Sequence, residues 1–263
     1  MSVSKLARKK RKGEKISVAT CYDWSFARIL NESDLDAILV GDSAAMVMQG
    51  YPETARMTLD AAQFFVESVA RGAPDKFIIA DVPFGWAHKD ATAFMEAVSG
   101  LVRAGAQAIK VEGVGLQNDN IARAIDAGIP VVGHLGLTPQ HINKLGGYKL
   151  QGKSDVAIES MLQELSQLKA LGCFAVVFEC ITSEAAQALQ AESEGIVTIG
   201  IGAGASMDGQ VLVLQDLLGM TMGRSPRFVR KFANVGEAVS TAVSAYVGAV
   251  RDGSFPAPEE SYE

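Results

Sequence analysis

The stretch RAGAQAIKVE (residues 103–112) decides the fold, because a helical segment ends at Gly105 and a short apolar run follows at once. A glycine commonly ends a helix, and a nearly continuous β-branched run is typical of a buried parallel strand. Three more segments repeat this order of features: DAGIPVVGHL (126–135), ALGCFAVVFE (170–179) and SEGIVTIGIG (193–202). Each copy predicts a helix that leads into a strand, which is half of a βαβ unit.

Other apolar runs extend the pattern. Amphipathic segments between the runs predict helices, with Ser154 and Ser183 as N-caps of two of them. The further predicted strands are ISVAT (16–20), AILVG (37–41) and FIIAD (77–81), with RFVRKF (227–232) as a weak eighth.

Alternating strands and helices are compatible with a doubly wound sheet or with a (β/α)8 TIM barrel. Polar residues recur where the predicted strands end, and only in a barrel do those ends converge on one mouth. We therefore predict a barrel that forms a single domain over residues 1–263, preceded by a basic arm at about residues 1–15.

Composition excludes several classes of protein. With 263 residues, 48% hydrophobic and 21% charged, the chain is an ordinary globular protein that needs no disulfide or structural metal to hold its core. Three cysteines without metal-type spacing indicate reduced thiols. No apolar run approaches the roughly 18 residues of a membrane span, and the N-terminus lacks the apolar segment of a secretory signal. We expect a cytoplasmic protein without a membrane partner.

Charge is distributed unevenly along the chain. The net charge is −6, and residues 5–15 hold seven basic residues and one Glu, a local charge of +6 that leaves −12 on the rest. An acidic body is a poor match to nucleic acid. We expect the basic arm to be solvated or to contact another subunit.

The segment AIKVE (108–112) is the most informative for chemistry. Lys110 and Glu112 lie two residues apart on a strand, so both side chains point to the same face, into the barrel. A structural ion pair is the alternative, but buried ion pairs add little net stability. A functional site is the better interpretation.

Other strand ends carry polar residues whose roles stay open at this point. Asp42 follows AILVG and either caps the next segment or serves a site, and Asp81 ends FIIAD. Glu179 ends VVFE, Cys180 is predicted to face the helices as a structural thiol, and His134 alone is compatible with a core histidine.

Together these strand ends place four carboxylates and one ammonium at a single mouth: Asp42, Asp81, Glu112, Glu179 and Lys110. Carboxylates gathered in this way repel one another, and a hard divalent cation neutralises them. Oxygen ligands without Cys and with few His favour Mg²⁺ over Zn²⁺. A magnesium ion with open positions could polarise a 2-oxo acid and stabilise its enolate.

The sequence also resembles the ketopantoate hydroxymethyltransferase family along almost its whole length. The matching stretches are TCYDWSFA (20–27), LVGDSAAMVMQG (39–50), ADVPF (80–84), IKVEG (109–113), GHLGLTPQ (133–140), GGYKLQGK (146–153), FEC (178–180), IGIGAG (199–204) and DGQVLV (208–213). The resemblance implies a (β/α)8 barrel, a homodecamer, that uses Mg²⁺ and 5,10-methylenetetrahydrofolate to convert 3-methyl-2-oxobutanoate to 2-dehydropantoate (ketopantoate), the first committed step of pantothenate biosynthesis.

The resemblance also implies roles for individual residues. Asp42, Asp81 and Glu112 would surround the metal. Asp42, Ser43, Asp81 and Lys110 would hold the oxo acid. Glu179 would be the proton acceptor.

The chain departs from the family pattern in two places. Tyr51 and its neighbours replace the segment that usually follows MVMQG, and Gly85-Trp86-Ala87 replaces the one that usually follows ADVPF. These changes are expected to tune folate or substrate contacts.

Two alternatives stay open. One is a Mg²⁺-dependent barrel of the isocitrate lyase and phosphoenolpyruvate mutase type, which usually carries a reactive Cys motif not seen here at an inward-facing strand end. The other is a catalytically silent barrel that serves assembly, against which the clustered charge argues.

Overall fold

The protein is a closed barrel of parallel strands. The computed structural model describes residues 1–221, 223 and 225–262, and within them β1 to β8 pair in chain order, with β8 returning to β1. This confirms the predicted (β/α)8 fold. The strands are β1 (Ile16–Thr20), β2 (Ala37–Val40), β3 (Phe77–Asp81), β4 (Ala108–Glu112), β5 (Val131–Gly136), β6 (Ala175–Glu179), β7 (Val197–Ile201) and β8 (Gly209–Leu212).

The helices lie between and beyond the strands. They are α1 (Val3–Arg11), α2 (Trp24–Asn31), α3 (Ala44–Val47), α4 (Leu59–Gly72), α5 (Ala91–Arg103), α6 (Asn118–Asp126), α7 (Ile142–Leu145), α8 (Asp155–Leu171), α9 (Ser183–Ala191), α10 (Leu214–Leu217) and α11 (Val235–Asp252). Short 3₁₀ helices span Thr54–Arg56, Trp86–His88, Pro139–His141 and Pro258–Glu260. The N-cap prediction for Ser154 is confirmed, because its hydroxyl accepts from Ala157 N. For α9 the N-cap is Thr182, and the prediction of Ser183 is wrong by one residue.

The prediction for the eighth strand is wrong. Residues 227–232 form a turn and irregular structure, whereas β8 begins at Gly209 and pairs with both β1 and β7. A side chain at Gly209 would collide with the backbone oxygen of Ile16, so glycine allows the close approach that shuts the barrel. This strand is short and carries Gln210 at a solvent-exposed position, so it lacks the long apolar run that marks the other strands.

Side chains inside the barrel change character from one end to the other. On β4, Ala108 belongs to the apolar interior, and Lys110 and Glu112 follow on the same face toward the carboxyl end. On β3, Phe77 and Ile79 precede Asp81 in the same way. The apolar layers therefore form the floor beneath a charged layer at the mouth.

The amino-terminal end of the barrel is covered by α1. Leu6 is buried in the interior apolar cluster, beside the first residues of several strands. Lys9 Nζ lies 2.6 Å from Asp36 Oδ2, and Lys10 Nζ lies 2.7 Å from Asp208 Oδ2. Of the two alternatives for the basic arm, the solvated one is wrong, because Leu6, Val3 and two lysines attach this segment to the barrel, whereas contact with another subunit stays a prediction.

The chain divides into two compact units, Met1–Val213 and Leu214–Glu263, and the first contains all eight strands. In the second unit, none of the described residues of α11 is buried, and Val239, Val243 and Tyr246 are each more than half exposed. The single domain over residues 1–263 stays a prediction. Among the described residues, no helix combines the length and the apolar character that crossing a membrane requires.

We predict that Leu6→Ala destabilises the protein by about 2–5 kcal/mol, because truncating a buried leucine loses burial and leaves a cavity. Urea unfolding followed by circular dichroism measures the change. Leu116→Ala is the matched control, since Leu116 is 95% exposed and its loss should change stability by less than about 0.5 kcal/mol. Equal stability of the two variants would contradict the docking of α1.

Candidate active site

The predicted site residues lie together at the carboxyl ends of neighbouring strands. Asp81, Glu112 and Glu179 are the last residues of β3, β4 and β6, and Asp42 follows β2 by two positions. Strand register sets their neighbours: Asp81 is aligned with Lys110, and Glu112 is aligned with His134. Parallel pairing thus converts residues far apart in sequence into one charged layer.

Lys110 stands at the centre of this layer. Its Nζ lies 3.0 Å from Asp81 Oδ1 and 3.8 Å from Glu112 Oε1. Burial alone would lower the pKa of Lys110, but the carboxylates of Asp81, Glu112 and Asp42 outweigh it and raise that pKa. The ammonium of Lys110 is therefore charged at neutral pH.

Asp42 and Asp81 share a close contact across β2 and β3. The backbone N–H of Asp42 donates to Asp81 Oδ2 at 2.9 Å. Burial raises the pKa of Asp42 well above its usual range, and the negative charges of Asp81 and Glu112 add to that shift. The nearby Lys110 ammonium and the Gln140 amide act in the opposite direction and offset this shift only in part.

His134 bridges two of the carboxylates. Its Nδ1 lies 3.3 Å from Glu112 Oε1, and its Nε2 lies 3.3 Å from Glu179 Oε2. Burial and the Lys110 ammonium lower the pKa of His134, but the two carboxylates outweigh them and raise it to about 9. His134 is therefore part of the site, although as a single histidine its sequence position gave little reason to include it.

Glu179 differs from its neighbours in exposure. Its side chain is 17% exposed, whereas the side chains of Lys110, Asp81, Glu112 and His134 are 2–5% exposed. One Glu179 oxygen lies 3.3 Å from His134 Nε2 without being aligned as a hydrogen bond, so the carboxylate has an imidazole beside it and still reaches solvent. This is the geometry expected of a general base.

Ser43 lies beside the carboxylates, against a buried tyrosine. Its Oγ is 2.8 Å from the hydroxyl of Tyr22, which is 1% exposed. A side chain at Gly41 would place its Cβ 2.8 Å from Ser43 Oγ and 3.4 Å from Asp81 Oδ2. Glycine at this position leaves the space that these two polar atoms need.

Gln140 is a site residue that sequence reasoning missed. Its backbone N–H donates to Glu112 Oε2 at 3.0 Å, and its side-chain amide donates to Asp42 Oδ2 at 2.8 Å. It stands in the connection after β5, where neither hydrophobic periodicity nor charge marks it. The only signal was its place at the end of the stretch GHLGLTPQ (133–140).

Cys180 follows β6 with a φ of +48°, so strand alternation does not extend to it. Burial raises the pKa of its thiol to about 12, and the charge of Glu179 acts in the same direction. A thiol that stays protonated is a poor nucleophile. This supports the predicted structural role, and all three cysteines are free.

The layer carries more negative than positive charge. Four carboxylates (Asp42, Asp81, Glu112 and Glu179) surround Lys110 and His134, and the buried oxygens Asp81 Oδ1 and Glu112 Oε1 have only ion-pair contacts with Lys110 and His134 that are not aligned as hydrogen bonds. Within the described part of the chain, no three or more His, Cys, Asp or Glu side chains are already arranged to hold a metal ion. The oxygens suit a hard cation that takes one or two carboxylates and completes its shell with water or substrate, as Mg²⁺ does.

Comparison with known sequences gives a match over nearly the full length. The family profile described as ketopantoate hydroxymethyltransferase matches residues 1–258. A 3-methyl-2-oxobutanoate hydroxymethyltransferase of Bdellovibrio bacteriovorus is 47% identical over 254 residues, which cover 97% of this chain and 96% of the relative. The enzyme of that description from Coxiella burnetii is 46% identical over 257 residues, with the same two shares.

Solved structures with a similar fold come from another group of barrels. A phosphonopyruvate hydrolase superposes with a TM-score of 0.64 at 13% identity, covering 99% of this chain and 93% of that one. A 2,3-dimethylmalate lyase, described as a member of the PEP mutase/isocitrate lyase superfamily, gives 0.63 at 18% identity and covers 95% and 88%. Identity this low shows a shared fold alone.

Proposed function

Because the chain belongs to the ketopantoate hydroxymethyltransferase family, we propose that it transfers a hydroxymethyl group from 5,10-methylenetetrahydrofolate to 3-methyl-2-oxobutanoate in a Mg²⁺-dependent reaction. The product is 2-dehydropantoate, and the step commits carbon to pantothenate. The observation that carries the proposal is the layer of buried Asp42, Asp81, Lys110 and Glu112, with the partly exposed Glu179 beside it, at the mouth of a barrel with this family's sequence.

Asp42, Asp81 and Glu112 are proposed to surround the metal ion, with one or two of them as direct ligands, since the described acidic side chains do not form a ready set of three. The excess of carboxylates over cationic groups and the raised pKa of Asp42 support a divalent cation there. When bound, Mg²⁺ supplies positive charge that polarises the keto oxygen of the oxo acid. The protein's part is to hold these carboxylates at fixed strand ends.

The oxo acid is proposed to contact Asp42, Ser43, Asp81 and Lys110. Lys110 offers the ammonium that a carboxylate or a developing enolate oxygen requires, and Ser43 offers a hydroxyl whose position Tyr22 fixes. Lys110 is buried and held by Asp81, so it needs little reorganisation when negative charge develops on the substrate.

Glu179 is the proposed proton acceptor. Its carboxylate takes the single proton from C3, and the C–H electron pair moves into the C2–C3 bond to form the enolate. Water hydrolyses the N–CH2–N bridge of the folate to formaldehyde and tetrahydrofolate, and the enolate carbon adds to the formaldehyde carbonyl, whose oxygen takes up a proton to give the hydroxymethyl group. His134 Nε2, which lies 3.3 Å from Glu179 Oε2, places a second titratable group beside that carboxylate.

The remaining proposals rest on the family alone. They are a homo-oligomer, a decamer by resemblance, and a cytoplasmic location with small molecules as the partners. The departures at Tyr51 and at Gly85-Trp86-Ala87 are proposed to adjust donor or substrate contacts. In this region Lys89 Nζ lies 4.4 Å from the centre of the Trp86 ring, and Tyr51 is 46% exposed.

The activity is tested by incubating the purified protein with Mg²⁺, 3-methyl-2-oxobutanoate and 5,10-methylenetetrahydrofolate. We expect 2-dehydropantoate, detected by mass spectrometry, and its loss on addition of EDTA. The unbranched 2-oxobutanoate, run in parallel, tests the choice of acceptor. No product from either acid at saturating donor would instead support a catalytically silent barrel.

We predict that Glu179→Gln still binds the oxo acid but exchanges its C3 proton with deuterium about 10²–10⁴-fold more slowly, the usual contribution of a general base. Proton NMR of the oxo acid in D₂O follows the exchange without any folate donor. Glu194→Gln, at an exposed glutamate, is the matched control and should exchange normally. If Glu179→Gln exchanges at the normal rate, another group is the base, and His134 becomes the next candidate.

We predict that Asp81→Asn weakens the binding of both Mg²⁺ and the oxo acid by more than about tenfold. Loss of an outer-shell partner typically costs at least this much, and Asp81 is proposed to lie beside the metal itself. The amide oxygen of asparagine can still accept from Asp42 N, so that hydrogen bond is kept while the negative charge beside Lys110 is lost, and the urea midpoint shows whether the fold is intact. Isothermal titration calorimetry measures both affinities, with the exposed Asp34→Asn as control. Unchanged affinities for both ligands would exclude Asp81 from the site.

A further inference from the structure

Gln140 connects three of the strand ends that carry the site. Its backbone N–H donates to Glu112 Oε2 at the end of β4, and its Nε2 donates to Asp42 Oδ2 beyond β2. The same Nε2 lies 3.0 Å from the carbonyl oxygen of Val82, the residue after Asp81. We propose that Gln140 is a positioning residue that sets the spacing and orientation of the metal-binding carboxylates, an inference that rests on the Mg²⁺ site proposed above.

The chemistry of the amide fixes its orientation. A carboxylate oxygen and a backbone carbonyl oxygen both accept hydrogen bonds, so the group that faces them must be the NH₂ of Gln140 and not its oxygen. Two hydrogens on one nitrogen serve the two acceptors. The amide is thereby held in one rotamer, and it holds Asp42 Oδ2 in turn.

The backbone around Gln140 is also held in place. It is the middle residue of the 3₁₀ helix Pro139–His141, which begins with a proline and in which His141 N donates to Thr138 O at 2.8 Å. A proline at the first helical position fixes the entry of the chain. Glu112 is further restrained because Gln117 Nε2 donates to its backbone oxygen at 3.1 Å. Gln140 is therefore a rigid link and not a mobile side chain.

Gln140 therefore orients the Asp42 carboxylate and leaves its charge available to a metal ion. Gln140 engages Oδ2 of this carboxylate, and the amide carries no net charge, so it orients Asp42 without neutralising it. A lysine in the same position would compete with the metal ion for that negative charge. Outer-shell partners of this kind typically contribute about 10–100-fold to metal affinity.

Gln140→Met tests the proposal, because methionine is similar in length and keeps the backbone N–H that bonds Glu112. We expect the Kd for Mg²⁺, titrated alone by calorimetry, to rise about 10–100-fold. We also expect kcat to recover to within about twofold of the unsubstituted protein at saturating Mg²⁺, since excess metal fills a site whose affinity for the metal is lowered. Urea midpoints show whether the fold is intact.

The matched control is Gln151→Met, in the same connection after β5. Its side-chain amide donates to Lys149 O and not to a carboxylate, so its Kd for Mg²⁺ should be unchanged. An unchanged Kd in Gln140→Met overturns the positioning role, as does a loss of kcat that excess Mg²⁺ does not restore. Absence of Mg²⁺ binding in the unsubstituted protein overturns the proposed metal site itself, which separates the two failures.

Discussion

The ion pair between Lys110 and Asp81, buried at the end of two adjacent strands, is the interaction on which the site depends. Both side chains are at most 5% exposed, and the Nζ–Oδ1 distance is 3.0 Å. Removing one partner of a buried pair typically costs about 3–5 kcal/mol, because the other charge is left uncompensated. The negative charges of Asp42 and Glu112 also interact with the Lys110 ammonium and help to raise its pKa. Removing any one of these charged groups therefore leaves the others less well compensated.

This balance is possible because the barrel separates apolar and charged layers. Two-residue alternation on β3 and β4 points Phe77, Ile79 and Ala108 into the lower interior and Asp81, Lys110 and Glu112 into the upper one. Below, Leu6 of α1 covers the amino-terminal end, so the apolar layers are shielded from water on that side. The apolar layers thus contribute hydrophobic burial at the amino-terminal end of the barrel, and the buried charges are confined to the carboxyl end.

Much of this could be predicted from sequence, for a physical reason. Lys110 and Glu112 could be assigned to one face because strand periodicity is fixed, and Asp81 and Glu179 because a carboxylate that ends an apolar strand is conspicuous. The β8 strand was missed because its glycine is needed for close approach to β1 and gives no apolar run. Gln140 was missed because its role comes from a loop path that joins three strand ends, and no local pattern encodes that path.

The position of α1 was also not predicted from the sequence, because its charge was more conspicuous than its apolar contacts. Its lysines carry the strongest charge signal in the chain, yet what decides its position is Leu6, a single apolar residue within a basic run. Lys9 and Lys10 then pair with Asp36 and Asp208, which lie distant in sequence.

Charge also explains why the proposed site needs both a cation and Lys110. The Lys110 ammonium lies within 4 Å of Asp81 and Glu112, so its charge is already shared by two carboxylates before any substrate arrives. An anionic oxo acid brought to this layer alone would add a further negative charge to an excess that already raises the pKa of Asp42. A divalent cation would offset this excess of negative charge. Gln140 orients Asp42 without cancelling its charge, so that the carboxylate can still bind the proposed cation. In the proposed reaction Glu179 is the base, because it lies at the edge of the layer, where His134 Nε2 is 3.3 Å away and solvent still reaches the carboxylate.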